Sequence, residues 1–248
     1  MTETTDAPAP LQGSGSFLGN LFNLYFEPAE TFARIFNRPR LILAIALQVA
    51  LATALVMTWA AKTDAHEFFR QQLEQSPFAS NMPQEQVKTI IDRQAAWLTG
   101  GGRFVFPLIG LIALPISAGF FLFIFRFFMA HEVSFRQSLA VVTWVFLAVG
   151  VVTIPISLAI YGIRGDWNIP IEEVIQANPT VLFERDDVST WLWSLMSSLD
   201  LFSFWRVFLL ATGYAAAAKR SLGSALWGVG VPWMLYVAAK VGFRMVAG

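Results

Sequence analysis

Five stretches of this chain are too long and too apolar to fold as anything but membrane spans. The clearest runs from Leu41 to Ala61, with no charge and only Gln48, Thr53 and Thr58 as polar side chains. Phe104–Phe125 and Leu139–Tyr161 are equally free of charge. Leu201–Ala218 carries one charge, Arg206, and Ser224–Ala239 carries none before Lys240. About 20 apolar residues cross roughly 30 Å of hydrocarbon as a helix. Within that slab each segment must satisfy its own backbone, which leaves helices as the solution. The sequence therefore predicts an all-α polytopic bundle with spans over about 41–61, 104–128, 139–161, 201–218 and 224–242.

The composition fits. Hydrophobic residues make up 56% and charged ones 14%, well below the quarter or so usual in soluble domains. The net charge is zero, which removes the electrostatic case for nucleic acid as a partner. Without cysteine, disulfides, thiolate metal sites and cysteine nucleophiles are excluded. Residues 1–16 are acidic and rich in Pro, Gly and Ser, reading as a disordered tail and not as a signal peptide.

Residues 17–40 are aromatic-rich but too short to cross. Pro28 suits the first turn of a helix, and Phe32, Ile35 and Phe36 then share one face. The reading is a pair of interfacial helices, with Phe32 and Phe36 presenting a surface to a protein partner. The segment 62–103 is hydrophilic and helical in pattern, with Val87, Ile90, Ile91, Gln94 and Leu98 on one face. It closes on Gly100-Gly101-Gly102, read as a flexible joint. Residues 162–190 form an acidic loop. Lys219-Arg220 in a very short loop and Arg38/Arg40 beside the first span place the N-terminus in the cytoplasm and the C-terminus outside.

A search for chemistry finds little. His66 and His131 are the only histidines, and neither has a second ligand at zinc spacing. No phosphate loop follows Gly100–Gly102, and the string Glu184-Arg185-Asp186-Asp187 reads as a solvated face before a cation site. No cofactor, metal or catalytic residue is expected.

The fourth span holds the one informative polar group. Asp200 is placed to cap it, with Ser203 near the free amides. Arg206 lies five residues beyond Leu201, some 7–8 Å along a helix, and is costly in hydrocarbon. The expectation is a polar crevice of Arg206, Ser203, Thr153 and Ser157. There the guanidinium is expected to donate to Thr153 or Ser157, directly or through water, or to carbonyls such as that of Val151, which Pro155 frees. Gly213 and Ala217 on the same helix favour close packing against a neighbour.

The order of features resembles the Yip domain family of Ypt/Rab-interacting membrane proteins, in its bacterial branch. The resemblance rests on Pro28-Ala29-Glu30-Thr31-Phe32, on Met82-Pro83-Gln84-Glu85-Gln86 and on Ser134-Phe135-Arg136-Gln137-Ser138-Leu139-Ala140-Val141. Leu199-Asp200-Leu201-Phe202-Ser203-Phe204-Trp205, leading to Gly213, completes it. Ala148 departs from the pattern, standing where a proline is expected and removing one kink. The resemblance implies five spans (41–248 as one membrane domain), a cytosolic N-terminus and an adaptor or scaffold role in a bacterial inner membrane. Membrane lipids and a cytoplasmic protein contacting Phe32, Phe36, Phe135 and Arg136 are the expected partners. A small-solute or lipid permease built around Arg206 is the competing reading.

Overall fold

The computed structural model describes residues 15–74, 82–184 and 187–247. The tail 1–14, Pro77, Ser80, Arg185, Asp186 and Gly248 lie outside the described residues. The described residues are mostly helical, with no strand among them. Five helices are long and apolar enough to cross a bilayer, and the chain is an integral membrane protein.

Two short helices, α1 (Phe17–Asn23) and α2 (Pro28–Asn37), precede the first long one, α3 (Leu41–Lys62). Next come α4 (Ala65–Glu74) and α5 (Gln84–Trp97). A π-helical turn over Leu98–Gly102 joins α5 to α6 (Arg103–Phe123), which ends in a second one at Ile124–Phe128. The three glycines are thus a kink in a continuous helix and not a loose joint, with Gly100 alone leaving helical geometry at ψ −123°. A Cβ on Gly102 would lie 2.3 Å from the Trp97 indole, so only glycine lets that ring fold over the turn.

α7 (Phe135–Arg164) runs unbroken through Pro155 and is the most deeply buried helix. It starts in a capping box: Ser134 Oγ accepts from Gln137 N at 3.2 Å, and Ser134 N donates to the Gln137 side chain at 2.9 Å. The two reciprocal bonds satisfy amides that a helix start leaves free. α8 (Thr190–Ser198), α9 (Leu201–Ala218) and α10 (Leu222–Ala247) complete the bundle.

Around α7 stand α3, α6 and α9, and α10 packs against α9. The main core gathers Trp144, Leu147 and Ala148 of α7, Leu209 and Tyr214 of α9, and Phe32 and Ile35 of α2. Small residues set the approach of α9. A Cβ on Gly213 would sit 2.6 Å from Val141 Cγ1 and 3.0 Å from the Phe32 ring. Tyr214 OH and Ser138 Oγ hydrogen-bond at 2.6 Å, and Ser138 also donates to the Ala118 carbonyl at 2.6 Å.

The α1–α2 hairpin is wedged into this bundle instead of lying flat on its end. Trp144 Nε1 donates to the Pro39 carbonyl at 2.8 Å, and Tyr25 OH donates to the Ala148 carbonyl at 2.9 Å. Ala148 is 13 residues into α7, so the hairpin tip reaches about 20 Å along it. The carbonyl used is that of the residue standing at the expected proline position. Burial raises the pKa of the Tyr25 phenol above its ordinary value.

At the opposite end, the 165–178 segment folds back over the helices. Trp59 Nε1 donates to the Ile169 carbonyl at 3.2 Å, Tyr161 OH to the same carbonyl at 2.7 Å, and Thr63 Oγ1 to the Trp167 carbonyl at 2.9 Å. Leu201 N donates to the Ala177 carbonyl at 3.1 Å, fixing its other end. The hairpin thus marks one side of the bundle, the hairpin side, and the 165–178 segment the other, the loop side.

A polar cleft as the candidate functional site

Asp200 caps α9, its carboxylate accepting from Ser203 N at 2.9 Å and Ser203 Oγ at 3.2 Å. That cap starts the helix where the 165–178 segment is tied down, so Arg206 emerges just beneath it. Thr153 and Ser157 come from α7, where Thr153 Oγ1 donates to the Val149 carbonyl at 3.0 Å. All four residues singled out in the sequence line one cavity of about 470 Å³.

The cavity holds more charge than the sequence reading gave it. Lys240 of α10 enters from the far wall, its Nζ 3.1 Å from Ser198 Oγ and 3.5 Å from Ser197 Oγ. Glu172, Asn178 and Asp200 line it too. Lys240, Glu172, Asn178 and Ser197 also border an adjoining cavity of about 200 Å³. The lysine ending an uncharged span and the serine pair just before Asp200 stand out in the sequence as polar groups, but nothing there joins them to this cavity.

Arg206 does not make the hydrogen bonds expected of it. Its Nε is buried with no hydrogen-bond partner, and its guanidinium carbon lies 5.4 Å from the Phe146 ring centroid. Thr153 turns its hydroxyl to its own helix. What remains is a cation–π contact, worth about 0.5–2 kcal/mol depending on desolvation. Ser194 Oγ, in α8 beside the smaller cavity, is likewise buried and unpartnered.

One wall of the cleft reaches the outer surface of the bundle. Tyr236 lines it while remaining 65% exposed. The Trp233 and Phe204 rings, 5.2 Å apart, stand beside this opening. A further cavity of about 520 Å³ lies under the loop side, where Trp59, Phe68, Phe69 and Phe106 share the lining with Gln72, Gln94 and Glu172.

On the hairpin side the expected partner surface divides. Phe32 is fully buried against Gly213 and Val141, so its ring belongs to the core and is not on offer to a partner. The face that looked amphipathic is the one α2 turns into the bundle. Phe36 is half-buried, 6.2 Å from the Phe32 ring. Phe135 and Arg136 are exposed, and Arg126, Phe127 and Phe128 in the same turn are exposed as well. Val133, wholly buried, pins that turn from beneath.

A bundle of five apolar helices, with a wedged N-terminal hairpin and a polar cleft at one end, defines an integral membrane protein. The Yip1 domain model matches residues 22–242, and the chain belongs to that family. No curated protein and no solved structure matches the chain.

Proposed function

We propose that this protein is a non-catalytic membrane adaptor of the bacterial inner membrane, with its N-terminus and hairpin side in the cytoplasm. The observation that carries the reading is the turn between α6 and α7. It is fixed by the Ser134–Gln137 capping box and the buried Val133, yet exposes Phe127, Phe128, Phe135, Arg126 and Arg136. Aromatic and arginine side chains held rigid on a surface are what protein partners use as anchors. Membrane lipids are its other partners.

The chain has no cysteine, so single cysteines report on sidedness. Impermeant labelling of Lys88→Cys and Leu182→Cys from outside, with Glu132→Cys and Lys219→Cys labelled only after permeabilisation, is the expected pattern. Thr180, buried in the structure, is a poor place for such a probe. For the adaptor role, a photo-crosslinking residue at Phe135 should capture one protein in native membranes. Capture should disappear in Arg136→Glu and survive Arg206→Gln. Crosslinks only to lipid would defeat the reading.

The cleft favours a second reading, a permease for a small solute or lipid. Flux from liposomes above the empty-vesicle rate, lost in Arg206→Gln, would replace the adaptor with it.

A further inference from the structure

We propose that the Arg206 cleft binds the headgroup of one zwitterionic phospholipid, phosphate on Arg206 and Lys240 and ammonium on Glu172 and Asp200. The inference does not depend on the hairpin-side partner surface.

Two cations and two carboxylates line the same space. Among the described residues, no ion pair joins either cation to either carboxylate. Charges held apart at the edge of hydrocarbon are costly unless something completes them. A ligand carrying both signs meets all four at once, adding to the Ser203 bonds and the through-space attraction to Arg206 that Asp200 already has. A simple anion would leave Glu172 and Asp200 opposed to it, and a simple cation would leave Arg206 and Lys240. The buried, unpartnered Nε of Arg206 marks where a donor waits. A guanidinium offers five N–H donors in a planar fork that fits phosphate oxygens.

Depth and shape favour a lipid over a free solute. Arg206 lies about 7–8 Å inside the end of α9, near the level at which phosphates meet acyl chains. The opening past Tyr236, which lines the cavity and is itself largely exposed, gives acyl chains a lateral path onto the surface of α10. Trp233 and Phe204 flank that path, as aromatic side chains do at membrane interfaces. The volume of about 470 Å³ is within the range that small-molecule pockets occupy.

The test uses the full-length protein, delipidated in detergent. It is incubated with phosphatidylethanolamine, phosphatidylcholine or phosphatidylglycerol, and retained lipid is counted by native mass spectrometry. One zwitterionic lipid per chain is expected, at least tenfold above phosphatidylglycerol. Arg206→Gln and Lys240→Gln should each lower retention at least tenfold, with Lys240→Arg keeping it. Glu172→Gln should shift the preference toward phosphatidylglycerol. Melting midpoints in lipid-free detergent check that each variant is folded. Equal retention of all three lipids, or unchanged retention in both folded glutamine variants, overturns the proposal. So does displacement of the lipid by an equal concentration of glycerophosphoethanolamine, which would make the ligand a soluble one.

Discussion

The two ends of α9 are built to opposite specifications. At Gly213 and Tyr214 the helix is pressed against α7 and α2, with a glycine where a methyl would collide. There the buried hydroxyls of Ser138 and Tyr214 complete each other. About two turns away, at Arg206, the same pair of helices parts around a cavity, and a buried guanidinium nitrogen goes without a partner. A bundle able to pack one end to close contact has the means to pack the other. The hollow end is therefore best explained by something that occupies it, while the dense end holds the helices that shape it.

The dense end should break hardest. Gly213→Val pushes methyl groups into Val141 and Phe32, and overpacking of this kind costs about 1–3 kcal/mol. The expected outcome is a lowered melting midpoint in detergent, partly restored by Phe32→Leu. No such rescue would mean that α2 does not set the spacing.

Ser138→Ala comes next. It strips the Tyr214 hydroxyl of its buried partner and removes the donor to the Ala118 carbonyl, at about 1–3 kcal/mol for groups left dry. Tyr25→Phe is milder, since it removes one bond, to the Ala148 carbonyl, of about 1 kcal/mol. Faster amide exchange confined to α1 and α2 would show that this bond seats the hairpin. Unaltered exchange would show that Phe32 and Ile35 seat it alone.

The contrast between the ends also separates what could be read in the sequence from what could not. Span length and apolarity state the fold class directly, because hydrocarbon leaves helices no alternative. Gly213 was readable as a packing residue for the same reason: small side chains are how membrane helices approach. The burial of Phe32 was not legible, since an amphipathic face at i, i+3 and i+4 looks alike whether it meets a bundle, a partner or headgroups. Placing Arg206 near Thr153 and Ser157 followed from the depth of each along its helix. Lys240 and Glu172 could not be placed there, because they depend on how α10 and the 165–178 segment fold back. The bonds from Trp59, Thr63, Tyr161 and Leu201 that fix that segment all join residues distant in sequence, or depend on its folded path.

Arg206→Met is the smallest and most discriminating change. Had the guanidinium gathered freed carbonyls, as its sequence position invited, truncation would leave those acceptors dry and lower stability. Among the described residues it makes no hydrogen bond, and it keeps the contact with the Phe146 ring and the through-space attraction of Asp200. In lipid-free detergent the methionine variant should therefore melt close to wild type, or slightly above it, because an unpaired buried donor is gone. An arginine that merely snorkelled to the surface would give the same neutral result, so that measurement alone does not decide. The difference comes with lipid. A ligand at ten times its Kd stabilises the folded state by about 1.4 kcal/mol. Zwitterionic phospholipid should raise the wild-type midpoint accordingly and leave Arg206→Met where it was. If the two proteins respond alike, Arg206 takes no part in binding, and the hollow end of α9 needs another occupant or none.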